Sequence, residues 1–325
     1  MRGLFRITLT FVALLAVALG PAVAQAYPTR PITMVVAWPP GSGIDVMTRI
    51  MQDALREELG QPIVVDNRPG AAGSIGAQAV ARAAPDGYTL LFTAASLNMV
   101  AVMGTRLSFE VPGSFTPVVN VAVTPSLLVV HPSSGVDSVQ ELIASARSRP
   151  GQLFYGTAGV GAPSHFVTEL FRTRTGIEVT NVPFPGSPQQ MQALLAGDVH
   201  FSIINASTAL PQIRAGRVKA LAVTGRSRIP QAPEVPTLHE QGLTGFAAAS
   251  YWNGILGPAG LPQPTAERIA EAVNRVLARP DVAERLTLAG NEIDGRSSPA
   301  AFAALLREDM EIWAEVARAA NIRAQ

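Results

Sequence analysis

The stretch VVAWPPGSGIDVMTRIMQDAL, residues 35–55, decides the fold. An apolar strand runs into the turn Pro-Pro-Gly-Ser-Gly, and apolar residues at helical spacing follow Asp45. The first N–H groups of a helix have no partner inside the helix and lie at the positive end of its dipole. Glycines before such a helix let the chain approach a ligand closely. The stretch therefore predicts a strand–turn–helix unit of an α/β protein that holds an anion.

The candidate ligand contacts in this first loop are Ser42, Gly43, Ile44 and Asp45. Asp45 has an alternative role as the helix N-cap, because aspartate is a favoured capping residue. Trp38, just before the turn, is either an apolar wall of a binding cleft or a core aromatic residue. The residue types leave both pairs of alternatives open.

A second loop of the same kind is LFYGTAGVGAPSH, residues 153–165, where a strand and a glycine-rich turn precede a helix with Pro163 near its start. If each of two domains contributes one such loop, two helix N-termini face each other and a carboxylate can bridge them. The alternative is a pair of ordinary strand-to-helix turns, and for His165 a surface position at a helix start. The candidate contacts here are Thr157, Ala158, Gly159, Gly161, Ala162, Ser164 and His165.

The composition and the remaining motifs exclude several function classes. The 25 Lys and Arg residues balance 24 Asp and Glu residues, so no electrostatic footprint for nucleic acid is present. The absence of cysteine excludes disulfides, thiol catalysis and cysteine-bound zinc. Gly159–Ser164 only approximates a dinucleotide fingerprint, and no Walker lysine follows either loop. The four histidines are scattered, so we expect no catalytic residue, no metal site and no cofactor.

The N-terminal residues 1–26 have the pattern of a secretory signal peptide. Arg2 and Arg6 precede the apolar run Ile7–Leu19, and Ala24-Gln25-Ala26 offers a cleavage site before Tyr27. An uncleaved anchor is the alternative, but the apolar run is short for a bilayer span. We expect cleavage after Ala26 and a periplasmic protein.

The alternation of strand and helix signals after Tyr27 predicts an α/β fold with two domains, each a mostly parallel sheet flanked by helices. Domain I is predicted at residues 27–123 and 246–325, and domain II at 124–245. Two crossing strands, near Val118–Val130 and Ala247–Leu256, are expected to join them. Serine is the predicted N-cap in the pairs Ser187-Pro188 and Ser298-Pro299 and in the capping box that begins at Ser138.

Seven short motifs, in order along the chain, resemble the periplasmic receptors of tripartite tricarboxylate transporters, also called Bug receptors. The resemblance covers essentially all of 27–322. The motifs are Tyr27-Pro-Thr-Arg-Pro-Ile32, Pro40-Gly-Ser-Gly-Ile-Asp45, Asn67-Arg-Pro-Gly-Ala-Ala-Gly73, Pro85-Asp-Gly-Tyr-Thr-Leu90, Ala220-Leu-Ala-Val-Thr224, Val235-Pro-Thr237 and Gly257-Pro-Ala-Gly260.

The resemblance implies a two-domain periplasmic binding protein of the type II-like kind, which closes on a small organic anion like a Venus flytrap. In the family, backbone amides of the two loops hold a ligand carboxylate, often with ordered water. Phe184, Ile204 and Asn205 correspond to further ligand positions. Phe184 stands where tyrosine is frequent, and Ile204 where an acidic residue can meet a ligand amine. We therefore expect a carboxylate ligand with an apolar or aromatic body and no ammonium group.

These observations together predict a monomeric solute receptor that delivers its ligand to a membrane permease of the tripartite tricarboxylate transporter type. The first alternative is an exported hydrolase that uses the same cleft, with Ser42 as its nucleophile. The second is a ligand-sensing partner of a membrane sensor kinase. Neither the identity of the ligand nor the resting balance between open and closed forms follows from the sequence.

Overall fold

The computed structural model describes residues 27–225, 227–246, 251–294 and 297–324. The predicted signal peptide lies outside the described residues, as do the first four residues of the strand predicted over Ala247–Leu256. None of the described helices is long and apolar enough to cross a membrane.

Strands and helices alternate through most of the described chain. In chain order they are β1 (Ile32–Val36), α1 (Gly43–Leu59), β2 (Ile63–Asn67), α2 (Ser74–Ala81), β3 (Thr89–Ala94), α3 (Ser96–Val102), β4 (Phe115–Thr124), β5 (Ser126–Val130), α4 (Val139–Ser148), β6 (Phe154–Thr157), α5 (Pro163–Thr175), β7 (Thr180–Pro183), α6 (Ser187–Ala196), β8 (Phe201–Asn205), α7 (Ala206–Arg214), β9 (Lys219–Val223), β10 (Tyr251–Pro258), α8 (Gln263–Leu277), α9 (Pro280–Leu288), β11 (Glu292–Ile293) and α10 (Pro299–Ala319).

The strands form two sheets, which confirms the predicted α/β fold. The six-stranded sheet has the order β11-β4-β10-β3-β1-β2, and the five-stranded sheet has the order β7-β6-β8-β5-β9. The chain leaves the first sheet between β4 and β5 and returns to it at β10, so β4 and β10 are the crossing strands expected from the sequence. The short strand β11 pairs with β4, as expected for a final section that packs back on the first sheet.

Both sheets are mixed, whereas the sequence suggested mostly parallel sheets. In the first sheet β1 runs parallel to β2 and β3, but β10 runs antiparallel to β3 and β4. In the second sheet β5 runs antiparallel to β8 and β9. The reversed strands are the ones by which the chain enters each sheet from the other, since β10 runs opposite to β3 and β5 runs opposite to β8.

Helices cover the sheets with apolar side chains at helical spacing. Met47, Met51 and Leu55 on α1 are buried against the first sheet, and the left-handed Gly60 caps the end of the helix. A fully buried side chain of this size contributes about 1.5–3 kcal/mol. This packing holds the N-terminal turn of α1 in a fixed position at the end of β1.

The predicted helix caps are confirmed at two of three places. The hydroxyl of Ser138 accepts from the N–H of Glu141, and that of Ser298 accepts from the N–H of Ala301, each at 3.1 Å. The N-cap of α6 is Gly186, one residue before the predicted Ser187, which is the first helical residue. Helix α3 was not predicted, because Ser96–Val102 is apolar and follows β3 with no turn residue between them.

Asp309 is a buried carboxylate that ties α10 to α3 and β10. It accepts hydrogen bonds from Asn98 Nδ2 at 2.7 Å, Trp252 Nε1 at 3.0 Å and Trp313 Nε1 at 2.7 Å. Burial raises the pKa of the Asp309 carboxyl to about 6, against the opposing effect of its three donors. The cluster fixes the start of β10, where the chain re-enters the first sheet.

Candidate functional site

A cavity of about 460 Å³ lies where the two sheets face each other. In the first sheet, β1, β3 and β4 end at the cavity and β10 begins at it. In the second sheet, β6 and β8 end at the cavity and β5 begins at it. Ligands of open α/β sheets bind outside the carboxyl ends of the strands, at such an edge. The cavity is therefore the candidate binding site.

The first loop is organised by two of its own side chains. The hydroxyl of Ser42 accepts from the N–H of Asp45 at 3.4 Å, so Ser42 is the N-cap of α1 and the alternative that gave this role to Asp45 is wrong. The carboxylate of Asp45 accepts from the N–H of Gly41 at 2.8 Å, and Gly41 has a left-handed φ of 80° that favours glycine. The loop is thus fixed from within.

The Asp45 carboxylate lies behind the loop and does not line the cavity. Besides Gly41, it accepts from Arg49 Nε and from Asn67 Nδ2, each at 2.9 Å. Burial acts to raise the pKa of Asp45, but the donors Arg49, Gly41 and Asn67 outweigh it and hold the pKa below its ordinary value. Asp45 is therefore ionised at neutral pH, and its charge is neutralised on the side away from the cavity.

Two backbone donors of the first loop remain for a ligand. The Asp45 N–H is bonded to Ser42 Oγ, and the Val46 N–H to the Ser42 carbonyl at 2.9 Å. Within the part of the chain that the structure describes, the N–H groups of Gly43 and Ile44 have no acceptor. Both residues line the cavity.

The second loop is built in the same way. The hydroxyl of Ser164 accepts from the Ala158 N–H at 2.9 Å, and Nδ1 of His165 accepts from the Gly161 N–H at 3.1 Å. His165 is buried, so its predicted surface alternative is wrong, and burial lowers its pKa. The imidazole is neutral with its proton on Nε2, because Nδ1 is the acceptor. Ser164 contributes to the cavity lining from the first turn of α5.

Four helices begin at the cavity. Besides α1 and α5, helix α6 begins at Ser187 and α7 has Ser207 in its first turn, and both serines line the site. None of the described lining residues is charged. The positive ends of four helix dipoles therefore meet in a cavity with neutral walls, which favours a bound anion.

Seven of the residues predicted from the sequence line the cavity. Trp38 both lines it and packs against the apolar core, so its two alternatives are combined in one residue. The seven are Trp38, Ser42, Gly43, Ile44, Ala158, Ser164 and Asn205.

The other predicted contacts do not line the cavity. Ile204 is buried in the core beneath the second sheet, and Phe184 packs against the same core. These two positions therefore give no support to an apolar ligand body. The predicted residues that do not line the cavity are Asp45, Thr157, Gly159, Gly161, Ala162, His165, Phe184 and Ile204.

The sequence did not predict the polar residues at the strand ends. The amide of Asn253 donates to Thr124 Oγ1 at 2.9 Å, and Thr124 Oγ1 donates to Asn291 Oδ1 at 2.8 Å. The sequence could have indicated Ser187 and Ser207 as lining residues. Each lies at a helix start that follows a predicted strand, which is the pattern that located the two loops. The missed polar lining residues are Ser96, Thr124, Ser126, Ser187, Ser207, Tyr251, Asn253 and Asn291.

Contacts between the two halves flank the cavity. A Cβ atom on Gly161 of the second loop would collide with the thioether of Met103, which follows α3. A Cβ on Gly290 would lie 3.3 Å from the backbone nitrogen of Ser207. The two halves therefore touch each other beside the cavity.

The family model described as tripartite tricarboxylate transporter family receptor matches residues 47–322. A UPF0065 protein from the tcbD-tcbE intergenic region of Pseudomonas sp. (strain P51) is 38% identical over 290 residues, which are 89% of this chain and 86% of that protein. Protein BugT of Bordetella pertussis is 35% identical over 310 residues, covering 95% and 94% of the two chains.

Solved structures with the same architecture are two-domain periplasmic binding proteins. R. palustris Rpa4515 with adipate has a TM-score of 0.77 at 34% identity, covering 91% of this chain and 99% of that one. MatC from Rhodopseudomonas palustris with bound malate has a TM-score of 0.73 at 32% identity, covering 89% and 99%. The periplasmic binding protein BugD has a TM-score of 0.74 at 30% identity, covering 92% and 100%.

Proposed function

The chain belongs to the family of tripartite tricarboxylate transporter receptors, and we propose that it is an exported receptor for a small organic carboxylate. The observation that carries the proposal is the pair of unused N–H groups on Gly43 and Ile44, two residues that line a cavity with neutral walls. A carboxylate is the ligand group that suits these donors. Its oxygens accept charge-assisted hydrogen bonds from backbone N–H groups, and such bonds are strong.

The ligand of this proposal carries no ammonium group. An ammonium ion inside the cleft needs a carboxylate partner, and no acidic residue lines the cavity among the described residues. The position next to Asn205, where an acid would serve, is the buried Ile204. The related proteins solved with adipate and with malate are consistent with acids of this class.

Closure of the cleft is the functional motion. Domain I, 27–123 with 246–325, supplies the first loop, and domain II, 124–245, supplies the second. A ligand that touches both loops binds the closed form better than the open form, and this difference in affinity drives closure. The side chain of Met103 lies against Gly161 and so joins the two halves at the edge of the cleft.

The closed receptor delivers its ligand to a membrane permease of the tripartite tricarboxylate transporter type. In this proposal the chain is exported to the periplasm, cleaved after Ala26 and active as a monomer. A sensor kinase that recognises the same closed surface is the second kind of partner.

The hydrolase alternative needs a general base beside Ser42. The Ser42 hydroxyl caps α1, and neither a histidine nor an acid lines the cavity among the described residues. The geometry supports binding of an acid and offers no group to activate the serine.

A thermal-shift screen of the mature protein tests the proposal. The panel contains succinate, malate, adipate and benzoate, with aspartate and glutamate as acids that carry an ammonium group. A ligand at 100 times its Kd stabilises the protein by about 2.7 kcal/mol. We expect a clear rise in Tm with at least one acid that lacks an ammonium group. The screen uses protein that has been denatured, dialysed and refolded, because this treatment removes any co-purified ligand. A rise with aspartate or glutamate alone, or with no acid, contradicts the proposal.

A further inference from the structure

Four buried polar groups without a hydrogen-bond partner belong to residues that line the cavity: Trp38 Nε1, Ser96 Oγ, Ser126 Oγ and the Tyr251 hydroxyl. Buried polar atoms in proteins are nearly always bonded, so such a group needs an explanation. We propose that these residues form a second recognition subsite, which binds a hydrogen-bond-accepting oxygen group of the ligand, in the simplest case a second carboxylate. This inference rests on the proposed carboxylate receptor and assigns its selectivity.

The strand registers bring the four residues together. Val36, the last residue of β1, pairs with Phe92, which places Trp38, two residues further on, beside Ala94. Ala94 pairs with Asn253, and the Ala95 N–H donates to the Trp252 carbonyl at 3.1 Å, so Ser96 lies opposite Tyr251.

The other side of this cluster is the crossover between the sheets. Tyr251 also pairs with Thr124 of β4, and Ser126 follows two residues later as the first residue of β5. The cluster thus forms the floor of the cleft where the halves join, whereas the helix N-termini form its walls. A ligand held by the loops presents its remaining atoms to this floor.

The chemistry of the four groups selects an acceptor. An indole N–H only donates, and a hydroxyl donates to an acceptor that has no proton of its own. Burial raises the pKa of the Tyr251 phenol, against the opposing effect of the neighbouring Ser126 hydroxyl, so the phenol keeps its proton and remains a donor. Ser126 is 1% exposed, Ser96 4% and Tyr251 8%, so these groups are withdrawn from bulk solvent. An alkyl or aryl group at this place offers no acceptor to Trp38 Nε1 or Ser96 Oγ and leaves Tyr251 and Ser126 only each other, and an ammonium group adds more donors.

Neighbouring polar residues show that the unused donors are a special set. Thr124, Asn253 and Asn291 also line the cavity, but they are bonded to one another. Thr93 is a buried hydroxyl without a partner that does not line the cavity, and it serves as a matched control.

The test compares acids of equal length that differ at one end. Isothermal titration measures Kd for succinate and butyrate, glutarate and pentanoate, and adipate and hexanoate, with 6-aminohexanoate as the ammonium analogue. The protein is the wild type, Tyr251→Phe, Ser126→Ala and Thr93→Val. Tyr251→Phe removes one oxygen and keeps the ring, and its Tm without ligand serves as the folding control.

We expect the wild type to bind the diacid of at least one pair at least about tenfold more tightly than the monoacid. Tyr251→Phe and Ser126→Ala reduce this ratio several-fold, because they weaken binding of the diacid more than binding of the monoacid, whereas Thr93→Val keeps the ratio. We expect 6-aminohexanoate to bind most weakly of its series. The Tm of Tyr251→Phe without ligand is close to that of the wild type, because the hydroxyl that is removed has no strong hydrogen bond within the protein.

Three outcomes overturn the subsite. Equal affinities within every pair, or a diacid preference that survives in both Tyr251→Phe and Ser126→Ala, contradict it and leave the carboxylate receptor intact. If none of the six acids binds while another acid in the thermal-shift panel does, the subsite is also wrong. If no acid of either panel binds, both the subsite and the proposed function are wrong.

Discussion

The carboxylate of Asp45 accepts the backbone N–H of Gly41 at 2.8 Å, so an acidic side chain is part of a loop that faces an anion site. The negative charge does not oppose a bound anion, because the carboxylate points away from the cavity. Arg49 and Asn67 bind the same carboxylate from behind the loop, and Asp45 itself is 2% exposed. The charge organises the loop without reaching the cavity.

Asp45→Asn should therefore loosen the first loop. The amide keeps the shape of the side chain but loses the charge-assisted bonds, and we expect the free energy of unfolding to fall by about 1–2 kcal/mol. The ion pair with Arg49 contributes little to this loss, because Arg49 is exposed and solvent screens its charge. Urea unfolding measures the effect, and ligand affinity should weaken with it. Asp66→Asn, which removes the partner of exposed Arg68, is the control and should change neither quantity.

Asp309 should make the protein less stable as pH rises through weakly acidic values. Its folded pKa of about 6 lies above the ordinary 3.8, so the folded state binds the extra proton between these values. The stabilisation is fully present below about pH 4 and is lost as pH rises through about 6. The free energy of unfolding falls by at most about 3 kcal/mol over this range. Asp309→Asn should flatten this part of the profile in urea unfolding, whereas Asp53→Asn, at an exposed site, should leave it unchanged. An unaltered slope in Asp309→Asn would be evidence against the account.

His165 should give a slope of the opposite sign. Burial lowers its folded pKa below the ordinary 6.5, so the unfolded state binds the proton first. Stability is therefore present above about pH 6.5 and declines as pH falls below it. Protonated Nδ1 also cannot accept the Gly161 N–H, so the second loop loses its bond. We expect His165→Gln to remove this acid-side decline in urea unfolding and His239→Gln to retain it.

Gly161→Ala should weaken ligand binding by disturbing closure. Gly161 has a φ of 76°, and its added Cβ would meet Met103 across the cleft. Gly151→Ala is a matched control, because Gly151 has a φ of 72° but no atom within 4 Å of the new Cβ. Both variants should lose about 1 kcal/mol of stability from backbone strain, whereas only Gly161→Ala should raise Kd, by about tenfold. Small-angle scattering should show a more open form for this variant, and equal Kd values for the two would refute the role of the contact.

The sequence predicted the helices and strands that carry strong local signals. The strand–turn–helix units of β1 with α1 and of β6 with α5 were located because glycine-rich turns and helical spacing are local. The Asp45–Arg49 pair was not predicted, although its i, i+4 spacing is a local signal, and Asn67, the third partner, comes from another strand and has no local signal.

The polar floor was not predicted because it depends on register. Tyr251 meets Thr124 across 127 residues of sequence, and no spacing rule reports such a pairing. Ile204 was placed at the ligand by resemblance, yet β8 lies inside the second sheet with apolar cover on both faces, so consecutive residues Ile203 and Ile204 are both buried. In a central strand the alternation of residues does not identify the side that faces a cavity.

The most direct test of the central claim replaces the Gly43 N–H, one of the two unused donors. Proline is tolerated at the first position of a helix, and Ser42 before it already has the extended conformation that proline requires, with ψ of 160°. Gly43→Ala is the matched control, since a Cβ at this position meets nothing within 4 Å and the N–H remains. If backbone amides hold the carboxylate, titration with the acid that gives the largest thermal shift should show Kd raised about 10- to 100-fold in Gly43→Pro and near wild type in Gly43→Ala. Equal affinity in the two variants, with both folded, would contradict the claim.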